Sequence, residues 1–284
     1  MTEPVNIERL AAIVEELPTL PSVMFEVLAI AEDERSTAGD LEEVIMRDQA
    51  LSAKILKVAN SAYYGIPRTV ETVSRATVLL GFQTVVGLAL TVTVYDTLWG
   101  AGKGHFLDRR ELWKHSLGVA TAARLLSSNR NSKEAAVGFT AGMLHDIGKT
   151  IFDSHLSDEY AKVVETCQRE QVQMYLVERQ ILGIDHAELG HNVARRWQLP
   201  DVLCESIHFH HVPAEAGADF ARMSALVNVA DTVTRQAGIG ESGDTAAPTQ
   251  DPDAVRIWGG AEDRLQTAAA ELEGFREKIE VLQT

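Results

Sequence analysis

The sequence has almost no cysteine, which excludes a fold held together by disulfides. Only Cys167 and Cys204 occur among 284 residues, and neither belongs to a CxxC pair. A small secreted scaffold or a four-cysteine zinc site would need more thiols at closer spacing. We therefore expect two buried, reduced thiols in a cytoplasmic protein.

Positive charge is also scarce. The chain has 26 Lys and Arg against 41 Asp and Glu, a formal net charge of -15, and no local basic patch is visible. Binding to nucleic acid or to an anionic membrane surface needs a basic footprint. The charge balance argues against both classes of partner.

A long uninterrupted apolar run is missing as well. The start, Met1-Thr2-Glu3-Pro4, has neither a basic segment nor an apolar one, so no secretory signal is expected. The most apolar stretch, 78–98, is broken by Gly81, Gln83 and Asp96. We expect a buried helix there and no membrane span.

The first half of the chain shows no alternating strand pattern and no glycine-rich phosphate loop, and its apolar residues recur at helical spacing. Ser22 and Asp40 are expected to cap the second and third helices, and Asp48 and Asn60 to form caps or turns. An extended connector is expected at Leu17-Pro18-Thr19-Leu20-Pro21. The predicted helices cover residues 7–17, from 22, 41–46, 50–59, 72–80 and 82–98.

The second half continues the all-α pattern, and the 284 residues of the whole chain allow one large or two modest domains. Asp108 and Asp185 are expected helix caps, and Pro213 a helix stop. Predicted helices run over residues 108–127, 135–143, 160–181, from 184, 201–213 and 225–234.

Leu144-His145-Asp146-Ile147-Gly148-Lys149 is the stretch with the most chemical content. A histidine beside an aspartate offers an imidazole and a carboxylate at one point of the backbone, which suits a divalent metal. Lys149 would lie one helical turn later on a similar face. Gly142 and Gly148 would let neighbouring backbone come close.

Further histidines and one aspartate lie on other predicted helices, before and after this stretch. Singly, each has an ordinary structural explanation, and a metal-free cluster of hydrogen-bonded histidines is the alternative for the whole set. Asp231 is the most unusual, because an acid on an apolar helix is costly unless paired or metal-bound. Glu111 is a possible additional ligand. The predicted metal ligands are His115, His145, Asp146, His186, His210, His211 and Asp231, enough for two ions.

The chain from about residue 17 to 231 resembles the HDOD family, a branch of the HD superfamily found in bacterial signalling proteins. The motifs that carry the likeness are Leu17-Pro18-Thr19-Leu20-Pro21, Asp48-Gln49-Ala50-Leu51, Asn60-Ser61-Ala62-Tyr63-Tyr64, Leu79-Leu80-Gly81, Leu112-Trp113-Lys114-His115-Ser116, residues 142–149, Asp185-His186-Ala187-Glu188-Leu189-Gly190, Trp197-Gln198-Leu199-Pro200 and His210-His211. The resemblance implies an all-α fold, with an N-terminal helical bundle packed on an HD-type helical domain. It also implies a regulatory role.

The related HD-GYP phosphodiesterases hydrolyse cyclic di-GMP with a set of ligands that matches the seven residues above, and Lys149 matches their lysine. Their Gly-Tyr-Pro loop is absent, since Val212-Pro213-Ala214-Glu215-Ala216 stands in its place. The likeness implies a site for two divalent ions, with iron or manganese favoured and zinc the alternative. It leaves catalysis open; in an active site Lys149 would contact a phosphate.

The tail combines a polar stretch with an amphipathic one. Residues 236–253 are rich in Gly, Asp, Ser, Thr and Pro and predict a mobile linker. Apolar residues then recur at heptad spacing, which predicts a helix that either docks on its own domain or serves as a homodimerisation or output helix. These residues are Leu265, Ala268, Leu272, Phe275, Ile279 and Leu282.

Two functions follow as hypotheses. The first is a regulatory module that acts through signalling-protein partners, with a binuclear metal site. The second is a metal-dependent phosphohydrolase acting on a nucleotide or cyclic dinucleotide. The expected organisation is an N-terminal helical subdomain over residues 1–105, an HD-like subdomain with the metal site over 106–235, and a linker with a C-terminal helix over 236–284.

Overall fold

The computed structural model describes residues 7–33, 35–61, 63–99, 106–127 and 133–281. Every regular element in these ranges is helical, so the predicted all-α class is confirmed. No single helix in the described ranges is long and apolar enough to cross a membrane, and α5 and α6, whose bounds follow, pass that test only as a pair bent by 120°.

Six helices form the N-terminal bundle. They are α1 (Ile7–Glu16), α2 (Ser22–Glu32), α3 (Ala38–Ile45), α4 (Gln49–Ala59), α5 (Val73–Leu80) and α6 (Phe82–Trp99). The chain turns between α5 and α6 at Gly81, whose φ of 94° is open to glycine but strained for other residues. The long apolar helix α6 is buried along most of its length, as expected for a core helix.

Ten further helices follow. They are α7 (Arg109–Leu126), α8 (Lys133–Leu144), α9 (Ile147–His155), α10 (Ser157–Glu170), α11 (Met174–Leu182), α12 (His186–Arg196), α13 (Asp201–Phe209), α14 (Ala218–Gln236), α15 (Pro252–Trp258) and α16 (Glu262–Val281), with a 3₁₀ turn at Pro213–Glu215. The central helix is α7, which packs against α8, α14 and α16. Thirteen of its residues are buried, so this helix forms the middle of the second half.

The two halves pack directly on one another. Helix α6 lies against α8, and the Tyr95 hydroxyl on α6 donates to the Ser116 hydroxyl and the Met143 carbonyl at 3.0 and 3.2 Å. At the other end, the Trp197 indole N–H donates to the Pro18 carbonyl at 3.0 Å. The bundle therefore supports α7 and the end of α8 from outside, which is the architecture the resemblance implied.

Two of the predicted caps are wrong. Thr37 caps α3, and Asp40 lies three residues further on, where its carboxylate completes a capping box with Thr37. Ser22 is the first residue inside α2, after Pro21. Asp48 caps α4 and Asn60 ends it, both as predicted.

The single long helix predicted over residues 160–181 is also wrong, because the chain breaks into α10 and α11. Gln171 adopts a left-handed conformation with φ of 52° after α10, and α11 begins at Met174 and packs back on α10. Neither glycine nor proline marks this break. The reversal turns Glu178 into the core, with consequences for the site.

The C-terminal part follows a different path from the one predicted. The helix predicted over 225–234 is longer, as α14, and residues 237–251 do not leave the body of the protein as a linker would. Ile239 in that stretch is fully buried. Helix α16 docks on α7 through Ala268, Leu272 and Ile279, the first of the two alternatives for this helix. Leu282 lies outside the described residues.

Candidate metal centre

All seven predicted ligands lie around one buried point, although they come from five places in the chain. His115 is on α7, and Asp231 is on α14. His145 and Asp146 form the junction between α8 and α9, His186 is the first residue of α12, and His210 and His211 end α13.

Asp146 is the common neighbour of the histidines. One carboxylate oxygen, Oδ2, lies 3.3 Å from His145 Nε2 and 3.8 Å from His115 Nε2. The other oxygen, Oδ1, lies 3.2 Å from His186 Nε2 and 3.9 Å from His210 Nε2. The carboxylate thus presents a different oxygen to each of two groups of imidazoles.

These groups are two sets of donors able to hold an ion. One comprises His115, His145 and Asp146, and the other His186, His210 and His211, with the ligand atoms of each set within 4.8 Å of one another. Asp231 Oδ1 lies 3.1 Å from His115 Nε2, beside the first set. Nitrogen and carboxylate oxygen donors in this proportion suit zinc, iron and manganese. Two groups of candidate donors thus lie around Asp146, whose two carboxylate oxygens face different groups.

The imidazoles are held with one nitrogen turned to the centre. His145 Nδ1 lies 2.8 Å from the Gly142 carbonyl, and His210 Nδ1 lies 2.7 Å from the Ile207 carbonyl. Each Nδ1–H can donate to that carbonyl and leave Nε2 as the ligand. Both carbonyls lie three residues before their histidine, so the ring orientation is set by the local helix end.

Glu178 is the site residue that sequence reasoning missed. Its carboxylate is fully buried and accepts from the His186 backbone N–H at 2.8 Å, with His186 Nδ1 2.5 Å away. The Tyr160 hydroxyl donates to its other oxygen at 3.0 Å. Such a carboxylate fixes the tautomer and direction of a ligand histidine. No motif marked it, because its burial depends on the unpredicted break between α10 and α11.

Lys149 lies one turn into α9, on the same face as the His145-Asp146 junction. Its ammonium donates to Asp146 Oδ2 at 2.7 Å and to the Ser242 carbonyl at 3.1 Å. The side chain is 3% exposed. The predicted proximity of Lys149 to Asp146 is therefore confirmed, and Ser242 is an unforeseen second partner.

Burial and charge together set the protonation of the centre. Burial raises the pKa of Asp146, but the neighbouring His145, Lys149 and His186 outweigh it and hold that pKa well below its usual value. Burial, followed by the neighbouring imidazoles, lowers the pKa of His210 and His211 well below the usual value. Burial also lowers the pKa of His186, but Glu178 more than compensates and raises it to about 9. Most of the ligand set is thus in the form that binds a cation.

Several buried polar atoms of the centre make no hydrogen bond within the described chain. These are both ring nitrogens of His115, Oδ1 of Asp146 and Oδ1 of Asp231. Buried polar atoms are rarely left without a partner, and these four belong to residues of the predicted ligand set. The side chains present fit a divalent metal.

Other candidates lie outside this set. The Glu111 carboxylate, considered as an extra ligand, pairs with Lys114 at 2.8 Å. His191 faces away from the centre, as expected if only one of His186 and His191 points inward, and its Nδ1 lies 2.8 Å from His208 Nδ1.

A sequence profile of the HDOD domain matches residues 17–213 of the chain. Among solved structures, an HDOD domain protein of unknown function from Geobacter sulfurreducens is similar with a TM-score of 0.77 and 26% identity, covering 98% of this chain and 100% of that one. A candidate phosphohydrolase from Shewanella amazonensis has a TM-score of 0.72 at 24% identity, over 95% of each chain. A candidate signal transduction protein from Marinobacter aquaeolei has a TM-score of 0.76 at 18% identity, over 96% of this chain and 64% of that one. The last two share the fold.

Two uncharacterised proteins are similar in sequence. One, from Treponema pallidum, is 26% identical over 78% of this chain and 43% of its own length. The other, YuxH of Bacillus subtilis, is 27% identical over 53% of this chain and 38% of its own length. The chain thus spans less than half the length of either relative.

Proposed function

The chain belongs to the HDOD family, and on that premise we propose that it is a metal-binding regulatory module that acts through signalling-protein partners. The metal centre holds two divalent ions, of iron or manganese with zinc as the alternative. The chain works in the bacterial cytoplasm. In this role the ions stabilise and report the arrangement of the helices that carry their ligands.

The burial of the donor set is the observation that carries this proposal. Five of the seven donors, His115, His145, Asp146, His186 and His210, are each at most 2% exposed, and His211 and Asp231 are partly buried. A phosphoester substrate needs an open coordination position and room beside it, as catalytic metal sites provide. A donor set that is mostly buried is the arrangement expected of a structural or sensing site.

A second function, hydrolysis of a nucleotide or cyclic dinucleotide, is favoured by the completeness of the donor set. Bound ions would supply Lewis acidity for phosphoester cleavage. Lys149 would bind a phosphate oxygen, and Asp146 and Glu178 would hold Lys149 and His186 in place. Val212–Ala216, with its 3₁₀ turn, would have to replace the substrate contacts of the missing Gly-Tyr-Pro loop.

Metal analysis of the full chain purified without chelator tests the first part of the proposal. We expect about two equivalents of iron, manganese or zinc, and their loss in a His145→Ala/Asp146→Ala variant, because that pair contributes to both positions. His155→Ala is the matched control, since His155 lies on α9 and its Nδ1 contacts the Ile151 carbonyl. A folded wild-type chain without metal after loading would refute the metal centre.

Turnover separates the two functions. The metal-loaded chain is assayed with bis(p-nitrophenyl) phosphate and with cyclic di-GMP, alongside Lys149→Met. The regulatory proposal expects no difference between wild type, variant and buffer containing the metal. Hydrolysis that depends on Lys149 would replace it with the phosphohydrolase.

A further inference from the structure

The segment between α14 and α15, residues 237–251, passes against α7 and α9 beside the candidate metal centre; we name it the strap. It begins directly after the helix that carries Asp231, and Ile239 at its start is fully buried. At Gly240, with φ of 60°, a Cβ would lie 2.3 Å from the His115 backbone nitrogen and 2.4 Å from the Glu111 carbonyl oxygen. Only a glycine lets the strap lie this close to the helix that holds a ligand.

The strap also accepts a hydrogen bond from Lys149, the positively charged side chain beside Asp146. The Ser242 carbonyl accepts from Lys149 Nζ at 3.1 Å, while the Glu241 backbone N–H donates to the Glu111 carbonyl at 3.1 Å. A strap oxygen therefore takes a donor that the oxygen of an anionic ligand would otherwise use. The strap therefore contacts both α7 and α9.

Beyond Ser242 the strap is held by a few polar contacts. Asp244 Oδ2 lies 3.4 Å from Arg235 Nη1, and the Thr245 hydroxyl donates to the Cys167 carbonyl at 2.6 Å. Arg235 also donates to the Ala246 carbonyl. The strap has no helix or strand of its own, and a cavity of about 470 Å³ is lined by Phe106, Gln168, Arg235 and the strap. A segment with few contacts and space beside it opens more readily than a packed helix.

We propose that the strap is a removable cover of the metal centre. Closed, it occupies Lys149 and excludes anything larger than an ion from the α7 and α9 side. Displaced by a partner, it frees Lys149 and exposes the centre. The proposal rests on the proposed function and names the regulation of the same site.

The test weakens the strap without touching a metal ligand. Asp244→Asn/Thr245→Val removes the ion pair to Arg235 and the hydrogen bond to Cys167. Asp253→Asn/Thr267→Val is the matched control, because Asp253 pairs with Arg256 on the surface and the Thr267 hydroxyl donates to the Asp263 carbonyl outside the strap. Each double variant removes one charge and one hydroxyl.

The first readout is the rate at which zinc-loaded protein loses zinc to an excess of chelator. We expect the strap variant to release zinc about tenfold faster, the change that the loss of one to two hydrogen bonds gives, with unchanged zinc content and unchanged release from the control. Equal release rates in all three proteins would overturn the cover.

The second readout needs no metal. In metal-free protein, the rate of acetylation of Lys149 by acetic anhydride is followed by mass spectrometry, with exposed Lys54 as the internal reference. Because the Asp244 carboxylate raises the pKa of Lys149, labelling is compared in Thr245→Val alone, which keeps that charge. Faster labelling of Lys149 in Thr245→Val than in wild type supports the cover, and equal labelling overturns it. If the wild type takes up no metal, the proposed function fails while this readout still decides about the strap.

Discussion

Asp146 stands at the N-terminal cap position of α9, but its side chain makes no capping hydrogen bond. The carboxylate therefore faces the imidazoles of His115, His145, His186 and His210, while the positive end of the helix still favours its charge. Asp146 therefore does not cap α9 with its side chain, and its carboxylate contacts both groups of donors.

Glu178 is expected to tune the metal affinity without binding the metal. Glu178→Gln replaces the carboxylate that faces His186 Nδ1 with a neutral amide, and we expect affinity for zinc to fall about 10–100-fold. Competition titration against a chelating dye measures it. Glu170→Gln, at an exposed glutamate, is the control, and an unchanged affinity in Glu178→Gln would contradict the role.

His191 lies outside the metal centre, and we expect it to make the free energy of unfolding depend on pH. Burial, then His208 and Arg195, lower the pKa of His191 from an ordinary 6.5 to about 4. The unfolded chain therefore binds a proton that the folded chain does not. The contribution is fully present above pH 6.5 and is lost as pH falls toward 4. At pH 5 we expect a loss of about 1 kcal/mol, discounted because the ring is only half buried.

Chemical denaturation of metal-free His191→Gln and wild type at pH 7.5 and pH 5 measures this contribution. The variant should lose less stability between the two pH values by that amount. The same difference in His155→Gln, or none in His191→Gln, would show that another group is responsible.

At the scale of helices, glycines decide how closely the ligand-bearing elements approach. A Cβ at Gly148 on α9 would lie 2.0 Å from the His186 carbonyl oxygen at the start of α12. At Gly142 on α8 it would lie 2.7 Å from the Ala120 backbone on α7. The predicted close approach at both glycines is thereby confirmed, and it is what brings His145, Asp146 and His186 together.

Gly148→Ala should separate α9 from α12. We expect a destabilisation of about 2 kcal/mol or more, because backbone must move to admit the methyl group, together with weaker metal binding. Gly274→Ala is the matched control: its Cβ meets nothing within 4 Å in α16, and it should stabilise the chain by about 0.5–1 kcal/mol. Urea unfolding of both variants measures the difference, and equal effects would disprove the packing argument.

The helices and the types of the candidate ligands can be predicted from the sequence. The residues that contact those ligands from distant parts of the chain cannot. The His-Asp pair and Asp231 are conspicuous because of what surrounds them in the chain. Glu178 is not, because its burial requires Gln171 to adopt a left-handed turn without glycine. The polar composition of the strap predicts a mobile segment, but Glu241 and Ser242 contact α7 and Lys149 through backbone atoms, which every residue type can supply.

For the whole molecule, α16 is expected to act within the chain. Leu272 is fully buried where α16 packs on α7, so Leu272→Ala should destabilise the fold by about 2–5 kcal/mol, while Glu273→Ala on the exposed side changes it by less than about 0.5 kcal/mol. Thermal unfolding and light scattering are measured together. A change in oligomeric state without loss of monomer stability would favour the homodimer instead.

The position of Asp231 has a consequence for how this protein can be cut and recombined. The HDOD match ends at residue 213, yet Asp231 and the strap both lie beyond it and reach back to His115 and Lys149. A fragment trimmed to the family boundary would keep six of the seven donors and lose the acid beside the first position. Transplanting the domain into another host chain therefore requires the whole of α14, because a fusion joint placed after His211 would remove Asp231 from the centre.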